Sequence, residues 1–128
     1  MYKTALSAGA LFAGLAVVLG AFGAHALKTV LPADQLPVYD TAVRYQFYHS
    51  IALLVTGITY TSFPVKSLKL AATFFIIGIL LFSGSLYLLT ALSINNISIK
   101  PIGILTPIGG LFFIAGWVLF LLGIVRNK

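Results

Sequence analysis

The chain has 128 residues, of which 60% are hydrophobic and 8% charged, with a formal net charge of +6 and no cysteine. A soluble domain carries about 25% charged residues; this composition excludes one, and a mean hydropathy of +1.09 makes lipid the expected solvent. So short a chain is expected to hold a single helical domain with no catalytic module outside the bilayer, and the missing thiols exclude disulfides and cysteine-ligated metals.

The first apolar run, Thr4 to Leu27, ends in "GAFGAHALK", residues 20–28, whose Ala-His-Ala resembles a signal-peptidase site. The uncharged stretch from Ala5 to Gly23 is longer than a signal-peptide core of roughly 7 to 15 residues, and further apolar runs follow, so the segment is expected to stay as a helix. Gly9, Ala13, Ala16, Gly20 and Ala24 recur at steps of three and four, a face for close helix packing. Next comes "TVLPADQLPVYD", whose Pro32 and Pro37 and whose length leave room for a short interfacial turn of helix.

The second run, Thr41 to Thr61, holds the densest polar stretch, "YDTAVRYQFYHS". Drawn as a helix, it places Thr41, Arg44, Tyr45, Tyr48, His49, Ala52 and Thr56 on one face, expected to turn inward. Asp40 precedes Arg44 by four, the spacing of a helical ion pair, and His49 lies about 7 Å deeper than Arg44 at 1.5 Å per residue. His25 belongs to the same leaflet as Arg44 and His49. The set reads either as a polar pocket, with Arg44 the fixed charge and His49 the titrating group for an anionic headgroup, a quinone-like molecule or a proton, or as an interfacial belt of snorkelling side chains. The two histidines lack metal-ligand spacing, and Ser50 falls on a different side of the helix from His49, so neither a metal site nor a nucleophile and base pair is expected.

The third run, Ser67 to Leu92, contains "FSGSLYLLT", in which Ser83, Ser85, Tyr87 and Thr90 are expected to bond a neighbouring helix or their own backbone. The fourth, Ile102 to Val125, follows a turn at "SINNISIKP" and opens with two readings: Thr106 and Pro107 as cap and first turn, or Pro107 with Gly109 and Gly110 bending a continuous helix. Gly109 and Gly110 also fit close packing, and Trp117, near mid-helix, is expected to pack on lipid or a partner. No internal repeat is evident.

The fold class expected is therefore all-α: one four-transmembrane-helix bundle over residues 1–128. Lys3, Lys66, Lys69, Arg126 and Lys128 lie on the side of the termini, against Lys28, Arg44 and Lys100 opposite, which predicts both termini in the cytoplasm.

At "GAFGAHALK", "AVRYQFYHSIALL", "FSGSLYLL" and "PIGGLFFIAGW", in that order, the chain resembles the YgdD/YwdK-like family, small bacterial inner-membrane proteins of unassigned function. The resemblance implies a four-span plasma-membrane protein and supplies no substrate, cofactor or catalytic residue. His25, Arg44, Tyr48, His49, Ser85 and Gly110 match its motifs. With Tyr45 from the helical face, His25, Arg44, Tyr48, His49 and Ser85 form the candidate ligand set. The expected function is binding of a lipid-like molecule or a partner helix near the outer leaflet, the partners being membrane lipids, further copies of the chain or another membrane protein, and not nucleic acid. The alternative is an oligomeric transporter or channel working through His49 and Arg44. No acid lies within a span to support proton coupling, and an enzyme is the least supported reading.

Overall fold

The structure is a computed structural model, and residues 1–126 are described. Lys128, counted above among the charges near the termini, lies outside them. Four long helices follow one another: α1 (Lys3–His25), α2 (Leu36–Thr59), α3 (Lys66–Ser93) and α4 (Lys100–Val125). A short 3₁₀ turn, Leu27–Thr29, lies between α1 and α2. By length and composition α1, α3 and α4 are long and apolar enough to cross a membrane. The polar side chains of α2 keep it out of that set.

Local chemistry sets the boundaries. α2 starts at Leu36 rather than at Thr41, because Pro37 fits the first helical turn, where its fixed φ suits the helix and its missing N–H costs nothing. α3 ends in a Schellman motif: Asn96 sits at φ 57°, its N–H reaches the Ser93 carbonyl at 3.1 Å, and the Ile97 N–H reaches that of Leu92 at 3.0 Å. Asparagine tolerates that left-handed conformation better than other side chains with a Cβ. α4 begins with Pro101 in its first turn and runs on through Pro107, so the helix does not start at Pro107. The proline ring leaves the Gly103 carbonyl without its usual i+4 donor. Within α3, Ile79–Ser83 widens to a π turn.

Successive helices are antiparallel. The Tyr2 N–H bonds the Gly57 carbonyl at 3.1 Å, tying the start of α1 to the end of α2. α1 packs along α2, α3 lies between α2 and α4, and α1 and α4 occupy opposite flanks. Small residues let the helices approach. A Cβ on Gly9 would stand 2.9 Å from the Ser50 carbonyl, and one on Gly20 3.3 Å from Val43. Between α3 and α4 the fit is reciprocal: Phe113 lies on Gly78 and Phe75 on Gly116, while Gly109 abuts the backbone of Phe82 in the π turn. Phe75 and Phe113 close a core with Ala5, Leu53, Ala71 and Ile79.

Candidate functional site

The inward face of α2 is only in part the polar face drawn from the sequence: His49, Ala52 and Thr56 of that face turn inward, and Arg44, Tyr45 and Tyr48 do not. Ala42, Gln46, His49, Ser50, Leu53 and Thr56 are buried, whereas Arg44, Tyr45 and Tyr48 are exposed. The reason is that α1 and α3 both need small side chains on α2 for close approach, and Ala42, Ser50 and Gly57 lie on one stripe. That stripe carries Gln46 and His49 inward and turns the long side chains out.

His49 is boxed by aromatic rings. It stacks on Phe113 at 3.6 Å between centroids with an 11° interplanar angle, and Phe75 stands 5.6 Å away. Nδ1 lies 2.8 Å from the Tyr45 carbonyl, and Nε2 accepts the indole N–H of Trp117 at 3.1 Å. A carbonyl only accepts and an indole only donates, so the proton belongs on Nδ1 and the ring is neutral in this arrangement. Both nitrogens are thereby occupied.

A second buried group was not singled out from the sequence. Gln46 donates from Nε2 to the Phe12 carbonyl of α1 at 2.8 Å and accepts at Oε1 from the Tyr87 hydroxyl of α3 at 2.7 Å. One side chain thus bridges three helices. Tyr39 donates to the Leu19 carbonyl, its ring edge-on to Tyr87 at 5.5 Å, and Ser83 donates to the Ala42 carbonyl at 2.7 Å. Among the described residues no buried side-chain nitrogen or oxygen lacks a partner. A small-residue stripe traced along α2, instead of a polar one, would have found Gln46.

The remaining candidates fall in different places. Asp40 and Arg44 form their ion pair at 2.9 Å on the exposed surface. His25 is exposed at the end of α1, and neither a hydrogen bond nor a ring contact joins it to Arg44 or His49. Tyr45 lays its ring against Phe82 at 4.7 Å while remaining 40% exposed, and Tyr48 is 56% exposed. Ser85 is buried, bonded to Thr106 of α4 and to the Phe82 carbonyl. Ala13 is half-buried, and a Cβ on Gly110 would stand 3.9 Å from Phe82, ordinary contact that does not require glycine. Among the described residues no group of three or more His, Asp or Glu side chains comes together as a metal site.

What the outer surface does bring together lies along the seam of α1 and α2. One groove of about 260 Å³ is lined by Gly20, Gly23, Lys28, Tyr39, Asp40 and Val43. A second, of about 290 Å³, continues from Val43 past Arg44 to Ala16, Val17, Phe47 and Tyr48. Charge sits at the end nearest the α1–α2 linker and the deeper part is apolar. Asp40 engages one nitrogen of Arg44, whose side chain is exposed and has further donors to offer.

These features define a small helical membrane protein in which Gln46, His49 and Ser83 bond across helices and Lys28, Asp40 and Arg44 lie on a surface seam. The family described as a protein of unknown function (DUF423) matches residues 19–110, and the chain belongs to it. It is 40% identical over 125 residues to the UPF0382 membrane protein YwdK of Bacillus subtilis, covering 97% of this chain and 98% of that one. It is 38% identical over 112 residues to the UPF0382 inner membrane protein YgdD of Escherichia coli, covering 88% and 82%. A UPF0382 membrane protein of Staphylococcus saprophyticus is 40% identical over 121 residues, 94% of this chain and 96% of its own. No solved structure matches.

Proposed function

We propose that the chain spans a bacterial plasma membrane four times, with both termini in the cytoplasm, and binds a lipid-like amphiphile with an anionic head in the α1–α2 seam at the outer leaflet. The observation that carries the reading is that two grooves of the same seam adjoin at Val43, one lined by Lys28 and Asp40, the other by Arg44 and apolar walls. Arg44 offers a planar set of donors suited to a phosphate or carboxylate, and the strip between Ala16 and Phe47 suits an acyl chain. The buried polar side chains of α2 all find partners, on α2 itself or on adjacent helices, which supports its membership of the span set, since lipid supplies none. Lys3, Lys66, Lys69 and Arg126 at the end that carries both termini support the orientation.

Transport through His49 has no comparable support, because its ring is boxed in and it lines none of the principal grooves. Binding, rather than turnover, is the role assigned.

The test is native mass spectrometry of protein taken directly from its own membrane. Wild type and Trp117→Phe are expected to carry a defined anionic lipid, and Arg44→Ala to lose it about tenfold, the scale of one charge-assisted hydrogen bond. The same lipid pattern in all three proteins would sink the reading.

A further inference from the structure

The widest of the principal cavities lies on the other side of α2, where the start of α2, the end of α3 and the start of α4 converge, and has a volume of about 560 Å³. That is within the range of about 300 to 1,000 Å³ typical of small-molecule sites. We infer that it is a second site, one that takes the uncharged, hydroxyl-bearing head of a neutral lipid such as a diacylglycerol.

Its lining is graded. Val38, Leu86 and Leu89 form apolar walls, and Gln35, Ser93 and Ser98 stand toward the end of the bundle. Leu86 is about 10 Å deeper than Ser93 along α3 at 1.5 Å per residue. An amphiphile with its head among the hydroxyls and its chains along the leucines matches this order.

The head must be uncharged. No Lys, Arg, His, Asp or Glu lines the cavity, although Asp34 and Lys100 are close in sequence. A phosphate placed there would meet no counter-charge in the lining. A hydroxyl both donates and accepts, and the wall answers in kind. Ser93 donates to the Thr90 carbonyl at 2.6 Å and keeps its oxygen as an acceptor. Ser98 can do both, and Gln35, whose Nε2 donates to the Asp34 carboxylate at 3.4 Å, keeps its carbonyl oxygen as an acceptor and its second amide hydrogen as a donor.

Gly103 adds an independent argument. A Cβ at this position would meet nothing within 4 Å, so no helix contact requires glycine there, and glycine weakens a helix. Its effect is to widen the cavity. The opposite wall is pinned by the Schellman motif at Asn96, which fixes the chain entering Ile97 and Ser98. The site is separate from the seam: Gln35 and Val38 lie on one side of α2, and Asp40, Arg44 and Phe47 on the other.

The experiment is photolabelling in phosphatidylcholine nanodiscs with a diacylglycerol carrying a diazirine near its head, against the matching phosphatidic acid. Diacylglycerol is expected to label residues 86–107 about tenfold more than phosphatidic acid, whose charge finds no partner in the lining. Gly103→Leu, which fills the cavity, should lower the label about tenfold. Ser98→Ala, in an exposed loop that tolerates change, should lower it about fivefold, the equivalent of one neutral hydrogen bond, and carries the test if Gly103→Leu does not fold. Equal labelling by both lipids, or undiminished labelling of folded Gly103→Leu or of Ser98→Ala, would overturn the site. Displacement of the label by free glycerol would make a soluble polyol the occupant and overturn the lipid assignment.

Discussion

Trp117 on α4 donates its indole N–H to Nε2 of His49 on α2 at 3.1 Å, over the face of Phe113, and so links two helices separated for most of their length by α3. The histidine acts here as an acceptor fixed by its tautomer.

Trp117→Phe keeps the apolar bulk and removes the donor, leaving Nε2 unpaired among aromatic rings. A loss of about 1 to 2 kcal/mol is expected. His49→Ala also empties the stack on Phe113 and should cost about 3 kcal/mol. Unfolding by SDS titration in mixed micelles measures both; equal stability of Trp117→Phe and wild type would show that the bond contributes nothing.

Gln46 is the three-helix bridge, and its bonds to Phe12 and Tyr87 are expected to couple. Gln46→Leu leaves the Phe12 carbonyl and the Tyr87 hydroxyl without that partner and should cost about 2 kcal/mol. Tyr87→Phe alone should cost about 1 kcal/mol, and the double variant less than the sum of the two. Strict additivity would mean that the two side chains do not interact.

The glycines of α4 separate by what they face. A Cβ on Gly109 would run into the backbone of Phe82, which cannot give way as a flexible side chain can, so Gly109→Ala should cost about 2 kcal/mol or more. Gly110→Ala meets only ordinary contact and should be neutral, or stabilising by up to about 1 kcal/mol through helix propensity. Melting curves of the two variants in detergent decide it, and an equal effect at both positions would contradict the packing described.

Orientation is directly accessible because the chain has no cysteine of its own. In intact cells, Asp34→Cys should react with a membrane-impermeant maleimide and Ser62→Cys only after lysis. The reverse pattern would invert the proposed topology and move the seam to the inner leaflet.

Much of the helical layout was legible along the chain. Apolar runs mark the positions of the four helices, and the Asp40–Arg44 pair depends only on a spacing of four. α2 begins five residues before the apolar run at Thr41, because the helical turn that Pro37 allows in the linker is continuous with the helix. The course through Pro107 could not be decided from residues alone, since either reading satisfies the same local rules.

The facing of α2 belongs to tertiary structure. In a soluble helix the polar stripe marks the outside. In a lipid-soluble bundle polar side chains deep in a span, such as Gln46, His49 and Thr56, turn inward for partners. Arg44, Tyr45 and Tyr48 near a helix end can reach the interface from an outward position, so polarity alone does not fix the rotation. Steric fit decides instead. Gly9 against Ser50, Gly57 against Leu6 and the small side chain of Ala42 beside Ser83 set the rotation of α2, and only that rotation brings Gln46 to Tyr87 and His49 to Trp117. The sequence by itself determined the solvent, the helix-forming segments and the local ion pair, because these follow from composition and near-neighbour spacing. The choice of side chains for the interior and the surface seam came from three helices packing at once.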